Sequence, residues 1–213
     1  DCAICYMSQC QTVDNVKSNS SFEPSFDIEC LSSIFDCKTL TSLNLCFMSN
    51  PCGLKLPKSL HLPALESLHL QNLYFTANDN GYVEPFSNCH VLCTLFIGYR
   101  YLRSEDVLCI SNLTLSRLTL KQECLELRDY QIVLCTPNLS YCNINCLFGL
   151  KLSSTCHLSF IREVNMDMWG GRSGLTIISC LQVFVNVKIL DTNFTYPLHN
   201  ATCKCIDLDT IGV

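Results

Sequence analysis

Apolar residues recur along this chain at a fixed spacing. Seven times the sequence follows the pattern apolar-x-x-apolar-x-apolar, and the first apolar residues of successive occurrences are 25, 27, 23, 24, 22 and 26 residues apart. One such pattern arises easily by chance, whereas seven in nearly constant phase indicate an internal repeat. The occurrences are Leu40-Leu43-Leu45, Leu65-Leu68-Leu70, Leu92-Leu95-Ile97, Leu115-Leu118-Leu120, Leu139-Cys142-Ile144, Ile161-Val164-Met166 and Val187-Leu190-Thr192.

The second half of each pattern alternates with period two, which predicts a short β-strand with one buried face. The chain between these strands predicts return segments of helical or irregular character, such as residues 105–110, 130–134 and 179–184. No single repeat buries its own apolar face, so neighbouring repeats must stack. The period is typical of leucine-rich repeats. The sequence therefore predicts an α/β fold, a right-handed leucine-rich-repeat solenoid with a parallel β-sheet on the concave face and helical or irregular segments on the convex face.

The domain organisation follows from where the repeats are strict. Residues 35–194 form the predicted array of about seven repeats, residues 1–34 a degenerate N-terminal repeat or cap with short strands near 12–16 and 23–28, and residues 195–213 an irregular tail. A leucine-rich helical bundle is the alternative fold. Pro63, Pro137 and the many Asn, Ser and Thr between repeats disfavour its long helices. In the longest repeat, Asn78-Asp79-Asn80-Gly81 predicts a turn.

The 18 cysteines allow two interpretations, a disulfide scaffold in a secreted protein or buried reduced thiols. Repeat phase favours buried thiols. Cys37 and Cys89 occupy a position, three residues before the first apolar residue, that Leu62 and Phe184 hold in other repeats, and Cys142 replaces a signature leucine. The clusters Cys2, Cys5 and Cys10, and His199, Cys203 and Cys205, each lack a clean second ligand pair for tetrahedral zinc.

Composition and motifs exclude several classes of function. A net charge of −5 without a run of basic residues predicts no binding surface for nucleic acid or an anionic membrane. No run of 18 apolar residues exists, so no membrane-spanning helix is predicted. No nucleotide-binding, zinc-protease or serine-hydrolase motif is present, and residues 170–174 predict a glycine-rich repeat loop. We therefore expect no enzyme activity, cofactor or metal. Five N-x-S/T sequons, at Asn19, Asn112, Asn138, Asn193 and Asn200, are consistent with the alternative that the protein is secreted.

Residues between the buried leucines should face outward on the concave side and form parallel rows. These rows contain basic residues in the middle, aromatic residues beside them and acidic residues at the C-terminal end. Exposed arginine and tyrosine among neutral polar residues are typical of interface anchors. The predicted partner-binding residues are Ser67, His69, Gln71, Phe96, Arg117, Thr119, Lys121, Tyr141, Asn143, Asn145, Glu163 and Asn165.

Several stretches of the repeats resemble those of plant F-box/LRR proteins, also called F-box/RNI-like or FBD-like, particularly the legume group. These stretches are residues 35–45, 56–70, 86–92, 136–140 and 181–190, and the resemblance covers roughly residues 35–190. In that family, an F-box module docks to the Skp adaptor of a cullin–RING ubiquitin ligase, and the repeats select the protein to be ubiquitinated. The F-box itself is not among these 213 residues.

The resemblance implies a protein-binding module, the substrate-recognition part of an F-box protein in an SCF-type ubiquitin ligase. The implied partners are a protein substrate and, only through the F-box, the Skp-type adaptor and cullin; the implied location is cytoplasmic, nuclear or both. The alternative is a secreted or receptor-type leucine-rich-repeat ectodomain with disulfides and glycans.

Overall fold

Parallel strands make up most of the described chain. The computed structural model describes residues 12–18, 34–47, 54–98, 106–122, 130–146, 150–169 and 180–195. One sheet, here called the long sheet, contains in spatial order β1 (Thr12–Ser18), β2 (Ser42–Phe47), β4 (Ser67–Gln71), β7 (Thr94–Gly98), β9 (Arg117–Gln122), β11 (Tyr141–Cys146), β13 (Glu163–Trp169) and β14 (Ile189–Thr195). All neighbours in it pair parallel. The fold is a β-solenoid, because each repeat contributes one strand in the same direction.

The return segments form smaller sheets. A four-stranded parallel sheet, the return sheet, has the spatial order β12 (Leu150–Ser154), β10 (Tyr130–Cys135), β8 (Val107–Ser111) and β6 (Tyr82–Val83). A second pair joins β3 (Leu54–Lys55) to β5 (Leu73–Tyr74). In the described part of the chain, helical residues occur at 34–35 and 180–183. None of the helical segments there is long and apolar enough to cross a membrane.

The predicted solenoid with a parallel sheet is confirmed, but the described part of the chain has little helix, and the prediction of helical or irregular return segments was wrong for two of the three segments named. Residues 107–111 and 130–135 are strands, and only 180–183 in the third segment are helical. In β8, Leu108 and Ile110 are buried while Val107, Cys109 and Ser111 are half-buried, which is strand periodicity. Repeats of 22 to 24 residues leave a short return, and an extended strand crosses it with every other side chain in the core.

The predicted repeat phase is confirmed by burial. All three signature positions are buried in each of the seven repeats, and the largest exposure among them is 7%, at Leu190. All of these side chains except Thr192 share one core cluster with the buried residues of the return sheet, such as Leu108, Ile132 and Leu152. The core therefore lies between the two sheets, and it is continuous along the solenoid.

Two of the three cysteines assigned to core positions are fully buried. Cys89 and Cys142 are both 0% exposed, whereas Cys37 is partly buried and packs against the core. Burial raises the pKa of the Cys89 thiol to about 11, although a backbone hydrogen bond from Leu62 opposes the shift. It raises the pKa of Cys142 further. Both side chains are therefore neutral thiols near pH 7, and they fill space as small apolar residues do.

The same turn precedes the long-sheet strand in most repeats. The N–H of the first apolar residue donates to the carbonyl three residues earlier at Leu65, Leu92, Leu139, Ile161 and Val187. In the fourth repeat the Asn112 side chain replaces that carbonyl. Its Oδ1 accepts from the Leu115 N–H at 3.0 Å, and from the N–H and hydroxyl of Thr114 at 3.0 and 2.9 Å.

The other end of the Asn112 amide ties this repeat to the preceding one. Nδ2 donates to the carbonyls of Cys89 at 2.8 Å and Phe86 at 3.3 Å, and the residue is 6% exposed. Asn112 thus satisfies buried backbone groups in two repeats at once.

Some local predictions fall on described residues and others do not. The strand near 12–16 is confirmed as β1, and the turn at Asn78–Gly81 is confirmed by a Gly81 N–H bond to the Asn78 carbonyl and a left-handed Gly81 (φ 78°). The predicted strand near 23–28, the two cysteine clusters, the loop at 170–174, Asn19, Asn200 and residues after 195 lie outside the described part.

Two leucines of the fourth repeat test the core assignment. Leu118 is 0% exposed and Leu113 is 70% exposed. We expect Leu118→Ala to lower the free energy of unfolding by about 2–5 kcal/mol, because it removes buried contacts and leaves a cavity. Leu113→Ala, the matched control, should change it by less than about 0.5 kcal/mol. Urea denaturation followed by circular dichroism measures both, and equal effects would contradict this register.

Two asparagines test the link between repeats. Asn112→Ala leaves buried backbone groups without partners, so we expect a loss of about 2–4 kcal/mol in unfolding free energy. Asn138 is exposed and donates one hydrogen bond, to the Leu113 carbonyl at 2.7 Å, so Asn138→Ala should cost about 1 kcal/mol or less. Thermal and urea unfolding of both variants makes the comparison. If Asn138→Ala lowers the unfolding free energy as much as Asn112→Ala does, the larger cost predicted from the burial of Asn112 is contradicted.

Candidate binding surface

The face of the long sheet that points away from the core carries three rows of side chains in register from β2 to β14. We call this face the outer face. The first row is Ser42, Ser67, Thr94, Arg117, Tyr141, Glu163 and Ile189; the second is Asn44, His69, Phe96, Thr119, Asn143, Asn165 and Asp191; the third is Cys46, Gln71, Gly98, Lys121, Asn145, Asp167 and Asn193. Because the pairing is parallel and in register, equivalent positions of successive repeats become direct neighbours.

An aromatic pair lies in the second row. The rings of His69 and Phe96 are stacked, with centroids 3.9 Å apart and planes within 4°. Phe96 also covers Gly98, which is buried although it belongs to an outward row. A Cβ on Gly98 would lie 2.7 Å from Phe96 Cε1, so the absence of a side chain there allows the ring to lie where it does.

A hydrogen bond to Gln71 also holds the His69 imidazole. Nε2 donates to Gln71 Oε1 at 3.4 Å, and the Cys46 thiol, which donates to the same oxygen at 3.3 Å, holds the Gln71 side chain. Burial lowers the pKa of His69, and the hydrogen bond to Gln71 offsets part of this effect. The imidazole is therefore mainly neutral at pH 7, which makes the stack an uncharged surface.

A second cluster crosses β9, β11 and β13. The Arg117 guanidinium carbon lies 4.4 Å from the Tyr141 ring centroid, a cation–π contact. Asn165 Nδ2 donates to the Tyr141 hydroxyl and to Glu163 Oε1, each at 3.2 Å. Arg117, Tyr141 and Glu163 are successive members of the first row, so the tyrosine stands between the cation and the carboxylate.

Charge changes along the outer face from one end to the other. The strands β2, β4 and β7 present neutral side chains, β9 presents Arg117 and Lys121, and β13 and β14 present Glu163, Asp167 and Asp191. Asn145 Nδ2 contacts Asp167 Oδ2 at 3.5 Å. The face is thus divided into a neutral aromatic part, a basic strand and an acidic end.

All twelve predicted partner-binding residues lie on the outer face, in the rows expected from the sequence. Their role in binding stays a prediction. The structure brings four of them into two pairs, His69 with Phe96 and Arg117 with Tyr141. Two features of the face were not predicted from the sequence: Gly98, over which Phe96 lies, and Ile189, which is 59% exposed at the end of the first row. The sequence signal for Ile189 was its place next to the buried signature residue Leu190 in an alternating strand.

Among the residues that the structure describes, no cluster of three or more His, Cys, Asp or Glu side chains has metal-binding geometry. Comparison of the chain with protein-family models, curated proteins and solved structures gives no match in any of the three.

The stack can be tested through the titration of His69. In Gly98→Ala the new methyl group displaces the Phe96 ring, so His69 gains solvent and its pKa should rise toward its ordinary value. Ser153→Ala, on the return sheet, is the control and should leave the titration unchanged. A pH titration of the His69 ring signals by NMR measures both variants. An unchanged His69 titration in Gly98→Ala would contradict the burial of the imidazole against Phe96.

Proposed function

We propose that this chain is a protein-binding leucine-rich-repeat module that engages its partner with the outer face. The observation that supports this most is the arrangement of Arg117 and Tyr141 beside the His69–Phe96 stack, on four adjacent strands. Tyrosine and arginine are the residues most enriched at the energetic centres of protein interfaces. On β9 and β11 they are exposed or half-exposed, on a regular sheet.

These side chains are held in place before any partner arrives. Tyr141 is fixed by Arg117 on its ring and by Asn165 at its hydroxyl, and Phe96 is fixed between His69 and Gly98. Side chains that are already ordered lose less conformational entropy on binding, so each contact contributes more to affinity. A row of solvated polar residues without these contacts would lack that advantage.

The resemblance of the repeats to plant F-box/LRR proteins extends the proposal. In this interpretation the outer face selects a protein substrate, and an F-box elsewhere in the full gene product recruits the Skp-type adaptor and the cullin. Protein recognition and ligase recruitment are separate parts of the proposal, and separate experiments test them.

Two of the three described sequons, Asn112 and Asn138, give the secreted alternative little support, whereas the third, Asn193, is exposed at the end of the outer face. An N-linked glycan is attached at Nδ2, and in Asn112 that atom donates to two backbone carbonyls in a buried position. In Asn138, Nδ2 donates to the Leu113 carbonyl. A glycan at Asn112 is incompatible with this fold. Cys46, Cys89, Cys93, Cys109, Cys135, Cys142 and Cys156 carry free thiols.

Paired variants on opposite faces test partner binding. We expect Arg117→Glu and Tyr141→Ala to weaken binding of proteins captured by the wild-type chain by on the order of tenfold, because each removes an anchor of the outer face. The matched controls are Lys151→Glu, which likewise reverses a positive charge, and Tyr82→Ala, which makes the same truncation; both residues are exposed on the return sheet. Quantitative mass spectrometry of captured proteins, in extract supplied with each variant, gives the comparison.

Circular dichroism must show that all four variants remain folded. Captured proteins that are lost equally with the return-sheet controls, or retained with Arg117→Glu and Tyr141→Ala, would exclude the outer face as the binding surface. For the ligase part, the full gene product should bind a Skp-type adaptor. A full-length transcript that encodes a signal peptide and no F-box would contradict it.

A further inference from the structure

The first row holds two opposite charges that do not pair with each other. Among the described residues, no carboxylate lies within 4 Å of the Arg117 guanidinium and no cationic group lies within 4 Å of the Glu163 carboxylate, in contrast to Lys58 and Asp79, which approach to 3.9 Å. Tyr141 separates the two, and each charge contacts a neutral neighbour, the Tyr141 ring or the Asn165 amide.

The spacing between the backbones that carry these charges follows from the sheet. Arg117 on β9 and Glu163 on β13 occupy the same row with β11 between them, so their backbones are two strand steps apart, about 10 Å. Both side chains are also fixed in direction, Arg117 by stacking on Tyr141 and Glu163 by the hydrogen bond from Asn165. The result is a permanent local dipole across the first row, with its positive end toward Phe96 and its negative end toward Asp191.

We propose that the outer face selects a protein segment that carries an acidic and a basic side chain, the acidic one bound to Arg117 and the basic one to Glu163, whose backbones are two strand steps apart, about 10 Å. This inference rests on the proposed function and names the class of partner segment. The Tyr141 ring and the adjoining His69–Phe96 stack contact the apolar part of the same segment.

Charge complementarity determines which segments are rejected as well as which bind. A segment that is acidic throughout meets Glu163, Asp167 and Asp191 after its first contact, and one that is basic throughout meets Arg117 and Lys121. Like charges placed opposite each other in an interface disfavour the wrong partner. A segment with both charges in the matching order satisfies both ends of the face.

The probe is a peptide selected from a random display library on the immobilised wild-type chain. Selected peptides should contain an acidic and a basic residue, and Kd is measured by fluorescence anisotropy for a synthetic copy of the best one. Arg117→Glu should weaken its binding on the order of tenfold, and Glu163→Arg should do likewise. Lys151→Glu on the return sheet, the matched control, should leave Kd within about twofold.

Exchange of charges in the peptide identifies which residues meet. A peptide whose acidic residue is changed to Lys should regain affinity for Arg117→Glu and for no other variant, and one whose basic residue is changed to Glu should regain affinity only for Glu163→Arg. Restored binding in these two pairs, and failure of the crossed pairs, is the expected result.

The failures are distinguishable. Selected peptides that bind Arg117→Glu, Tyr141→Ala and wild type equally would overturn the proposed use of the outer face altogether. Selected peptides that lose affinity with Tyr141→Ala, yet contain only one sign of charge or show no rescue on charge exchange, would overturn the dipolar segment and leave outer-face binding standing.

Discussion

The parallel pairing of one short strand per repeat is the constraint on which the rest of this structure depends. Each strand offers one face to the core, so a shift of one residue would bring polar side chains inside and leucines outside. In this chain, all seven repeats hold the same register, with three buried positions each. The register that buries Leu118 and Leu120 also places Arg117 and Thr119 outward, so core and surface are determined together.

Stacking of the repeats in register aligns the outward side chains of successive strands into one extended surface. Neighbouring strands lie about 4.8 Å apart, close enough for side chains in one row to touch. That distance lets His69 stack on Phe96 and Arg117 on Tyr141, although the members of each pair are 27 and 24 residues apart in sequence. The turns hold this spacing: Ser116 and Ser140 donate their hydroxyl groups to the carbonyls of Cys93 and Ser116 in the preceding repeats.

The sequence predicted the long sheet well because leucine spacing reports burial directly. It predicted the return segments poorly, since a short apolar run such as Val107-Leu108-Cys109-Ile110 has no periodicity that separates a strand from a buried helix. The role of Asn112 in joining two repeats was not predicted, since its hydrogen bonds reach carbonyls 23 and 26 residues earlier in the chain. The outward rows, including the order Arg117, Tyr141, Glu163, were predictable from phase. The stacking of Arg117 on Tyr141 and the hydrogen bond from Asn165 to Glu163 depend on side-chain directions that spacing does not specify.

The central claim, that repeat phase carries the fold, is tested most directly by deleting one period from the middle of the chain. Removal of residues 115–138 joins two repeats in phase, so the shortened protein should keep a strand-rich circular dichroism spectrum and a cooperative unfolding transition in urea. Removal of residues 115–126 leaves β8 and β10 with no long-sheet strand between them, and this protein should lose the cooperative transition. If both shortened proteins unfold cooperatively, or if neither does, the claim that repeat phase carries the fold is contradicted.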